Sequence, residues 1–369
     1  MPKLTWKVVN HTQADLNITQ YVQSLNFTQG RPTALSPYSG NTANVTMFSY
    51  GGTESFVAIN DEIYLNSTAT GAAELLLFVG RVTSRTFNDN PGTGINSTMT
   101  VSLNDAMLQA GQANLQSQSL VSVNDQIEEI GVLLPQVIFT QFLNNTNMST
   151  GTFTTNANQR INEIIAGDRG VVTNDAGNFL YLPPSQFGNY VDTTFTIGRT
   201  VGFPQIGYQD LNRVEAAANS MFYTQATVTG SASTETKSSA ALTIYGTRTF
   251  TANTAQSNLV ANTAEWYANA FTDPEAVMLN LSFSDIAQST LPLQQFNNFC
   301  YDTKFVSVSY TPPGGVSTTG YYWPEQITVN ATTSQTTIDM LMTPLTYYAN
   351  FILNDAVFGV LDTDRLGVV

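Results

Sequence analysis

Few residues in this chain could do chemistry. Its 369 residues include one histidine, His11, and one cysteine, Cys300. A Ser-His-Asp relay would have to be built on His11, which sits among Asn10, Thr12 and Gln13 and reads as a surface or strand-end residue. These counts exclude a multi-histidine metal centre, a cysteine zinc site and an intrachain disulfide. Cys300, between Phe299 and Tyr301, reads as a buried thiol, because a free cysteine behaves as a small hydrophobe. Carboxylates are more numerous, 27 in all, but no spacing pairs them. Glu128 and Glu129 would diverge by about 100° on a helix, which suits a solvated face. Asp362-Thr363-Asp364 offers two carboxylates where Ca²⁺ needs about six to eight oxygens. Gly92-Thr93-Gly94 and Pro312-Pro313-Gly314-Gly315 lack the Gly-Lys-Ser/Thr of a phosphate loop. Asn-x-Ser/Thr triplets at Asn17, Asn26, Asn44, Asn66 and Asn280 follow from an Asn- and Thr-rich composition. This residue chemistry points to a scaffold or binding protein, with no catalytic, metal or cofactor site. One cluster suggests a ligand: the rings of Tyr321, Tyr322 and Trp323 can stack on sugar or pack a core or an interface.

Charge narrows the partners. There are 13 Lys+Arg against 27 Asp+Glu, a formal net charge of −14, and charged residues make up only 11% of the chain, against about 25% in ordinary soluble domains. Such a surface repels nucleic-acid backbones. Hydrophobic residues at 42% and aromatics at 11% are enough for large cores. No apolar run approaches the roughly 18 residues of a membrane helix, and Leu75 to Val79 has strand length. The opening Met1-Pro2-Lys3-Leu4-Thr5-Trp6 lacks the apolar core of a secretory signal. A soluble chain without a membrane-spanning segment is expected.

The elements that must position these residues are mostly strands. Residues 5 to 103 alternate short strands with turns: Asp15 to Thr28, Asn44 to Ser49, Phe56 to Leu65, Leu75 to Phe87 and Thr98 to Leu103. Gly30-Arg31-Pro32 ends one of them, since proline cannot donate to a ladder. Asn88 to Gly94 reads as an exposed turn. This pattern predicts an all-β barrel or sandwich. Asn104-Asp105 caps a short helix toward Gln118. Asn124 to Phe142 has helical spacing broken at Pro135, Asn158 to Ala166 is a further helix, and Val171 to Leu182 is a hairpin turning at Asp-Ala-Gly. Strands return from Asp192 to Thr249, broken by a Gly230 to Thr234 loop. An amphipathic helix spans Asn253 to Phe271 and ends at Asp273-Pro274. Val277 to Phe283 is a half-buried strand. Lys304–Tyr310, Tyr321–Asn330 and Thr336–Met342 form a meander, so the last third is one helix beside an antiparallel sheet.

The order of these motifs resembles that of minor tail and tail-hub proteins of tailed bacteriophages. The run Leu16 to Arg31 is similar to that family's opening strands ending in Gly-Arg. Asn41 to Met47, Phe78-Val79-Gly80-Arg81-Val82 and Asp105-Ala106-Met107-Leu108 follow in the family's order. So do the helix-hairpin passage from Asn158 to Tyr181, Tyr245-Gly246-Thr247-Arg248, and Trp323 with Glu325 to Thr328. Phe351 to Asp355 and Phe358 to Gly367 are similar to its ending. Asn41 stands where the family has Gly, and the middle region is short.

The resemblance implies a mainly β fold with α+β inserts. It predicts a tube-like β-barrel at 1–118, a small α+β domain at 119–190, a β-rich connecting domain at 191–248 and a tube-like β domain with one helix at 249–369. It implies a non-enzymatic structural hub in the virion tail, assembled in the host cytoplasm. Three copies would close a ring that adapts a six-fold tube to a three-fold tip. The implied partners are a distal tail or tube protein above and fibre or spike proteins below. Tape-measure protein and DNA would pass through the lumen, which excess negative charge keeps non-adhesive; Asp61 and Glu62 are candidate lumen acids. The alternatives are a six-fold distal tail or adaptor ring, a host-glycan-binding tip protein using Tyr321, Tyr322 and Trp323, and a tail hydrolase with a carboxylate pair.

Overall fold

The computed structural model describes residues 4–49, 53–88, 97–115, 123–134, 137–139, 156–168, 170–182, 191–198, 205–206, 211–217, 221–230, 233–254, 259–272, 278–285, 290–310 and 318–347. Of the expected Asn88 to Gly94 turn, Asp89 to Gly94 lie outside the described residues, as do Pro312 to Gly315, the ending from Phe351 and with it Asp362 and Asp364.

Alternation of apolar and polar residues decides the main sheet. In β4 (Thr42–Phe48) Ala43, Val45 and Met47 are buried, while Thr42, Asn44, Thr46 and Phe48 face away. In β20 (Thr336–Pro344) Ile338, Met340 and Met342 are buried in the same manner. A period of two puts each apolar set on one face of the pleat. The N-terminal residues supply β1 (Leu4–Asn10), β2 (Leu16–Asn17), β3 (Val22–Gly30), β4, β5 (Glu62–Ala69), β6 (Glu74–Asn88) and β7 (Thr98–Asn104). Six of these run antiparallel in the order β3-β4-β7-β6-β5-β1, with the two-residue β2 on the outer edge.

A second set comes mainly from the C-terminal part. It comprises β11 (Val191–Gly198), β12 (Gln205–Ile206), β13 (Leu211–Ala217), β17 (Met278–Ser284), β18 (Phe305–Tyr310), β19 (Thr318–Thr332) and β20. Their order is β11-β18-β19-β20-β17-β13, with the two-residue β12 beside β11. The expected Lys304, Tyr321 and Thr336 meander is present as β18, β19 and β20. The two sets meet where β19 pairs with β3, so together they make one sheet of 14 strands. Among the described residues the strand ladder does not close on itself. β11 and β13, expected in a separate connecting region, lie in this sheet because they pair with β18 and β17.

The other elements pack around that sheet. Asp105 caps α1 (Ala106–Ala110), its side chain accepting from the Leu108 amide at 3.1 Å. A second expected helical piece after Pro135 is instead β8 (Val137–Phe139), because it pairs parallel with β10 (Asn178–Leu182). The first piece is α2 (Val123–Leu133). With β9 (Val171–Asp175), β10 makes the expected hairpin; Ala176 and Gly177 take φ 51° and 80°, as a tight hairpin turn requires. α3 (Ala157–Asp168) covers this small sheet through Ile161 and Ile164, alongside α1 and Tyr38.

A third sheet has the order β15-β14-β16, from β14 (Gln225–Thr229), β15 (Thr234–Ser238) and β16 (Thr249–Asn253). The short α4 (Leu242–Tyr245) links β15 to β16. The helix expected from Asn253 begins later, as α5 (Val260–Ala270), because Asn253 is still paired with Thr229 in the sheet. The last third also holds a second helix, α6 (Thr290–Tyr301), absent from the sequence reading. Its Leu293, Phe296 and Cys300 repeat at helical spacing and are buried in the main core, and Pro292 sits in the first turn, where its missing N–H costs nothing. Asn297 donates to the Ser67 carbonyl at 3.1 Å, tying α6 to β5.

Asp105 yields a pH prediction. Full burial pushes its carboxyl up to about 6 from 3.8, against backbone donors at Asn41, Leu108 and Met107 that favour the anion. The folded state therefore holds this proton over a range in which the unfolded chain has released it. Stability falls as pH rises from about 4 to above 6, by about 3 kcal/mol for this group. Asp105→Asn keeps a good cap and removes the titration. Denaturant midpoints across that range should show the mutant gaining on the parent as pH rises; parallel curves would refute the assignment.

Candidate functional site

With one histidine and one thiol, the strongest polar constellation is buried at the junction between the two strand sets. β19 is the shared element. Its first half pairs with β18 and its second half with β3, both on one edge, while β20 follows the other edge. The change of partner falls at Pro324-Glu325, where the β19–β20 register shifts. Pro324 brings no N–H, and a bulge of this kind bends the strand and re-aims a side chain. The Glu325 side chain is 0% exposed and accepts from Arg31 Nε at 2.9 Å. Its backbone carbonyl accepts from the Arg31 amide at 2.7 Å.

Gly30 makes the approach possible. Its φ is +93°, and a Cβ placed there would lie 1.9 Å from the Glu325 carbonyl oxygen. The sequence Gly30-Arg31 thus does two jobs in adjacent residues: one lets two backbones touch, the other neutralises the carboxylate beyond. Arg31 then continues into the inserted α+β unit. Its guanidinium lies 4.4 Å from the centre of the Tyr38 ring and donates to the Ser36 carbonyl at 3.4 Å. The Tyr38 hydroxyl accepts from the Val172 amide at 3.0 Å, and the Tyr38 amide donates to Asn162 Oδ1 at 2.7 Å. One buried cation therefore ties together the N-terminal strands, the C-terminal strands and the α3 unit.

Electrostatics follow from burial. Desolvation pushes the Glu325 carboxyl up, opposed by Arg31 and by the Thr343 hydroxyl beside it. Burial works against the Arg31 charge, but Tyr38 and Glu325 outweigh it and hold the guanidinium above its ordinary value. Burial likewise pushes the Tyr38 phenol up to about 12, against the pull of Arg31. The pair is a structural clamp, with both side chains buried.

The opposite end of the same seam has a second clamp. Asp285, buried after β17, accepts from the Leu4 amide at 3.1 Å and the Thr336 amide at 2.9 Å. Trp6 Nε1 donates to Thr336 Oγ1 at 3.0 Å. Between the two clamps a single apolar core is continuous from Leu25, Phe27 and Val45 to Val329, Ile338 and Met340.

The residues singled out by sequence fall elsewhere. His11 is exposed, 2.7 Å from Asp15 and stacked on Tyr64 at 4.6 Å. Cys300 is buried, which raises its thiol well above the ordinary value. Among the described residues no cluster of three or more metal-ligating side chains occurs. Tyr322 and Trp323 are buried, at 4% and 1% exposure, Trp323 packed 4.8 Å from Phe305. Tyr321 is half-buried against the α5 core. Asp61, a candidate lumen acid, is buried and accepts from Asn10 Nδ2 at 2.6 Å and the Ala58 amide at 2.7 Å, so it is committed inside the fold. Glu62 is partly buried, 3.8 Å from Arg81. Glu325 and Asp285 carry no local sequence signal of their role, since Arg31 is 294 residues from Glu325, and Leu4 and Thr336 are 281 and 51 residues from Asp285.

This architecture is that of phage tail proteins. The tail protein from Neisseria meningitidis MC58 is similar over 94% of this chain and 98% of its own, with a TM-score of 0.62 and 8% identity. The prophage MuSo2 43 kDa tail protein from Shewanella oneidensis is similar over 94% of this chain and 99% of its own, at 0.59 and 8% identity. Prophage tail protein gp18 from Listeria monocytogenes EGD-e is similar over 91% and 94%, at 0.51 and 9% identity. No protein-family model and no curated protein matches the sequence. The likeness is thus one of fold, and the resemblance read from the order of sequence motifs is met at that level.

Proposed function

We propose that this chain is a non-enzymatic structural hub of a bacteriophage tail tip, in which three copies surround the tail axis. The observation that carries this reading is the fusion of two six-stranded sets, each with a two-residue edge strand, through one strand pair and one core. Three such chains present six strand modules, which lets a three-fold ring meet a six-fold tube along one axis. Rigid fusion is what this task needs, because the two modules of one chain must hold fixed positions in the ring. The buried clamps at both ends of the seam supply that rigidity.

The tube-like modules correspond to the N-terminal strands and to the C-terminal strands, with the α3 unit and the β14 to β16 sheet projecting between them. A distal tail or tube protein would dock on one side and fibre or spike proteins on the other. The net charge of −14 suits a channel through which DNA slides without adhesive Lys and Arg contacts. Symmetry-resolved electron microscopy of the tail, with mass measurement of the isolated ring, tests the reading. A ring of three times the 40.1 kDa chain mass is expected. Six copies would instead favour a distal adaptor ring, and a position off the tail axis would overturn both.

A further inference from the structure

We infer that the cavity between α3, the 31–37 loop, β16 and α5 is a binding site for a neutral saccharide. The cavity holds about 250 Å³ and opens to solvent where α3, the 31–37 loop, β16 and α5 converge. Such convergences are a common location for ligand sites. One side is formed by Trp266, Phe250 and Leu35, all half-buried. Indole and phenyl faces match the apolar C–H face of a pyranose.

The charged groups on the lining are already neutralised. Arg31 is paired with Glu325 at 2.9 Å. Glu163 is paired with Arg160 at 2.9 Å and accepts from Gln159 Nε2 at 3.0 Å. An ionic ligand would find no charge to answer its own. The uncommitted polar groups are neutral. Among the described residues β16 is an edge strand, paired only with β14. The Thr254 amide and the Arg248 carbonyl bond to β14, so by strand alternation Thr251 and Asn253 turn their backbone N–H and C=O to the free edge. These are adjacent donors and acceptors on the cavity rim, the arrangement that vicinal hydroxyls satisfy. Their spacing and the ring-sized volume favour a sugar over a long extended strand.

The test is saturation-transfer NMR of the full chain with a panel of neutral sugars at millimolar concentration: glucose, galactose, mannose, N-acetylglucosamine and their β-linked disaccharides. Saturable binding of at least one is expected. Trp266→Ala should weaken it about tenfold. Because Trp266 also packs against Tyr267 and Phe271, a second variant fills the cavity without removing a contact. Ala166→Leu should abolish binding with the thermal midpoint unchanged. Failure of the whole panel with folded protein overturns the proposal, as does binding that survives both variants. An uncharged extended pentapeptide serves as the other arm: if it binds at the cavity and the sugars do not, the site is a strand-addition edge and the saccharide assignment falls. None of these results depends on how many copies form a ring.

Discussion

Replacing Glu325 with leucine should destabilise the protein by about 3–5 kcal/mol, because Arg31 would be left charged in the core with its partner gone. The side chains are 7% and 0% exposed, so water cannot take the place of the lost carboxylate. Arg31→Met alone should cost a similar amount by stranding Glu325. The double replacement should recover most of the loss, and a gain over the parent of about 1–4 kcal/mol is within the behaviour of well-packed apolar substitutes. Denaturant unfolding of the four proteins closes a double-mutant cycle. A coupling near zero would mean that the two groups do not clamp the junction. The double variant also separates stability from placement. It should remain folded while losing the Arg31 contacts with Tyr38 and Ser36, so the inserted unit should exchange amide protons faster at Val172, whose N–H the Tyr38 hydroxyl accepts.

Gly30→Ala should be equally damaging for a different reason. No ion pair is touched, yet the new methyl would stand 1.9 Å from the Glu325 carbonyl oxygen on a backbone at φ +93°. The backbone cost alone is about 1–3 kcal/mol for a side chain in that region. The clash adds to it, since the carbonyl oxygen is main chain and the Cβ is fixed by the backbone that bears it, so neither can rotate away. A loss of about 4 kcal/mol or more is expected, with early exchange of the β3–β19 amides from Phe27 to Gly30 and from Gln326 to Val329. Gly246→Ala is a useful comparison, because Gly246 has positive φ, at +75°, with open space around its Cβ position. If Gly30→Ala cost no more than Gly246→Ala, close approach at the junction would not be what requires glycine.

What the sequence by itself determined is the local grammar. Strand periodicity placed β4 at Asn44 to Ser49 and the β18–β19–β20 meander at Lys304–Tyr310, Tyr321–Asn330 and Thr336–Met342, the Asp-Ala-Gly turn placed the β9–β10 hairpin, and Asp105 announced the α1 cap. Each of these is decided within about ten residues, where backbone propensity and side-chain period act directly. Single histidine and cysteine counts likewise removed whole classes of chemistry. The structure alone decided everything that depends on long-range pairing. β19 could be read as a strand, but not that it leaves β18 for β3 halfway along, nor that Glu325 lies at the bulge. β8 has helical neighbours in sequence and became a strand because β10 offered a free edge, and α6 went unread although Leu293, Phe296 and Cys300 carry its period. Arg31 and Glu325 are 294 residues apart. A charge in a sequence reads as surface unless its partner is known, and only the closed fold, by removing water from both, turns this pair into the joint on which the architecture rests.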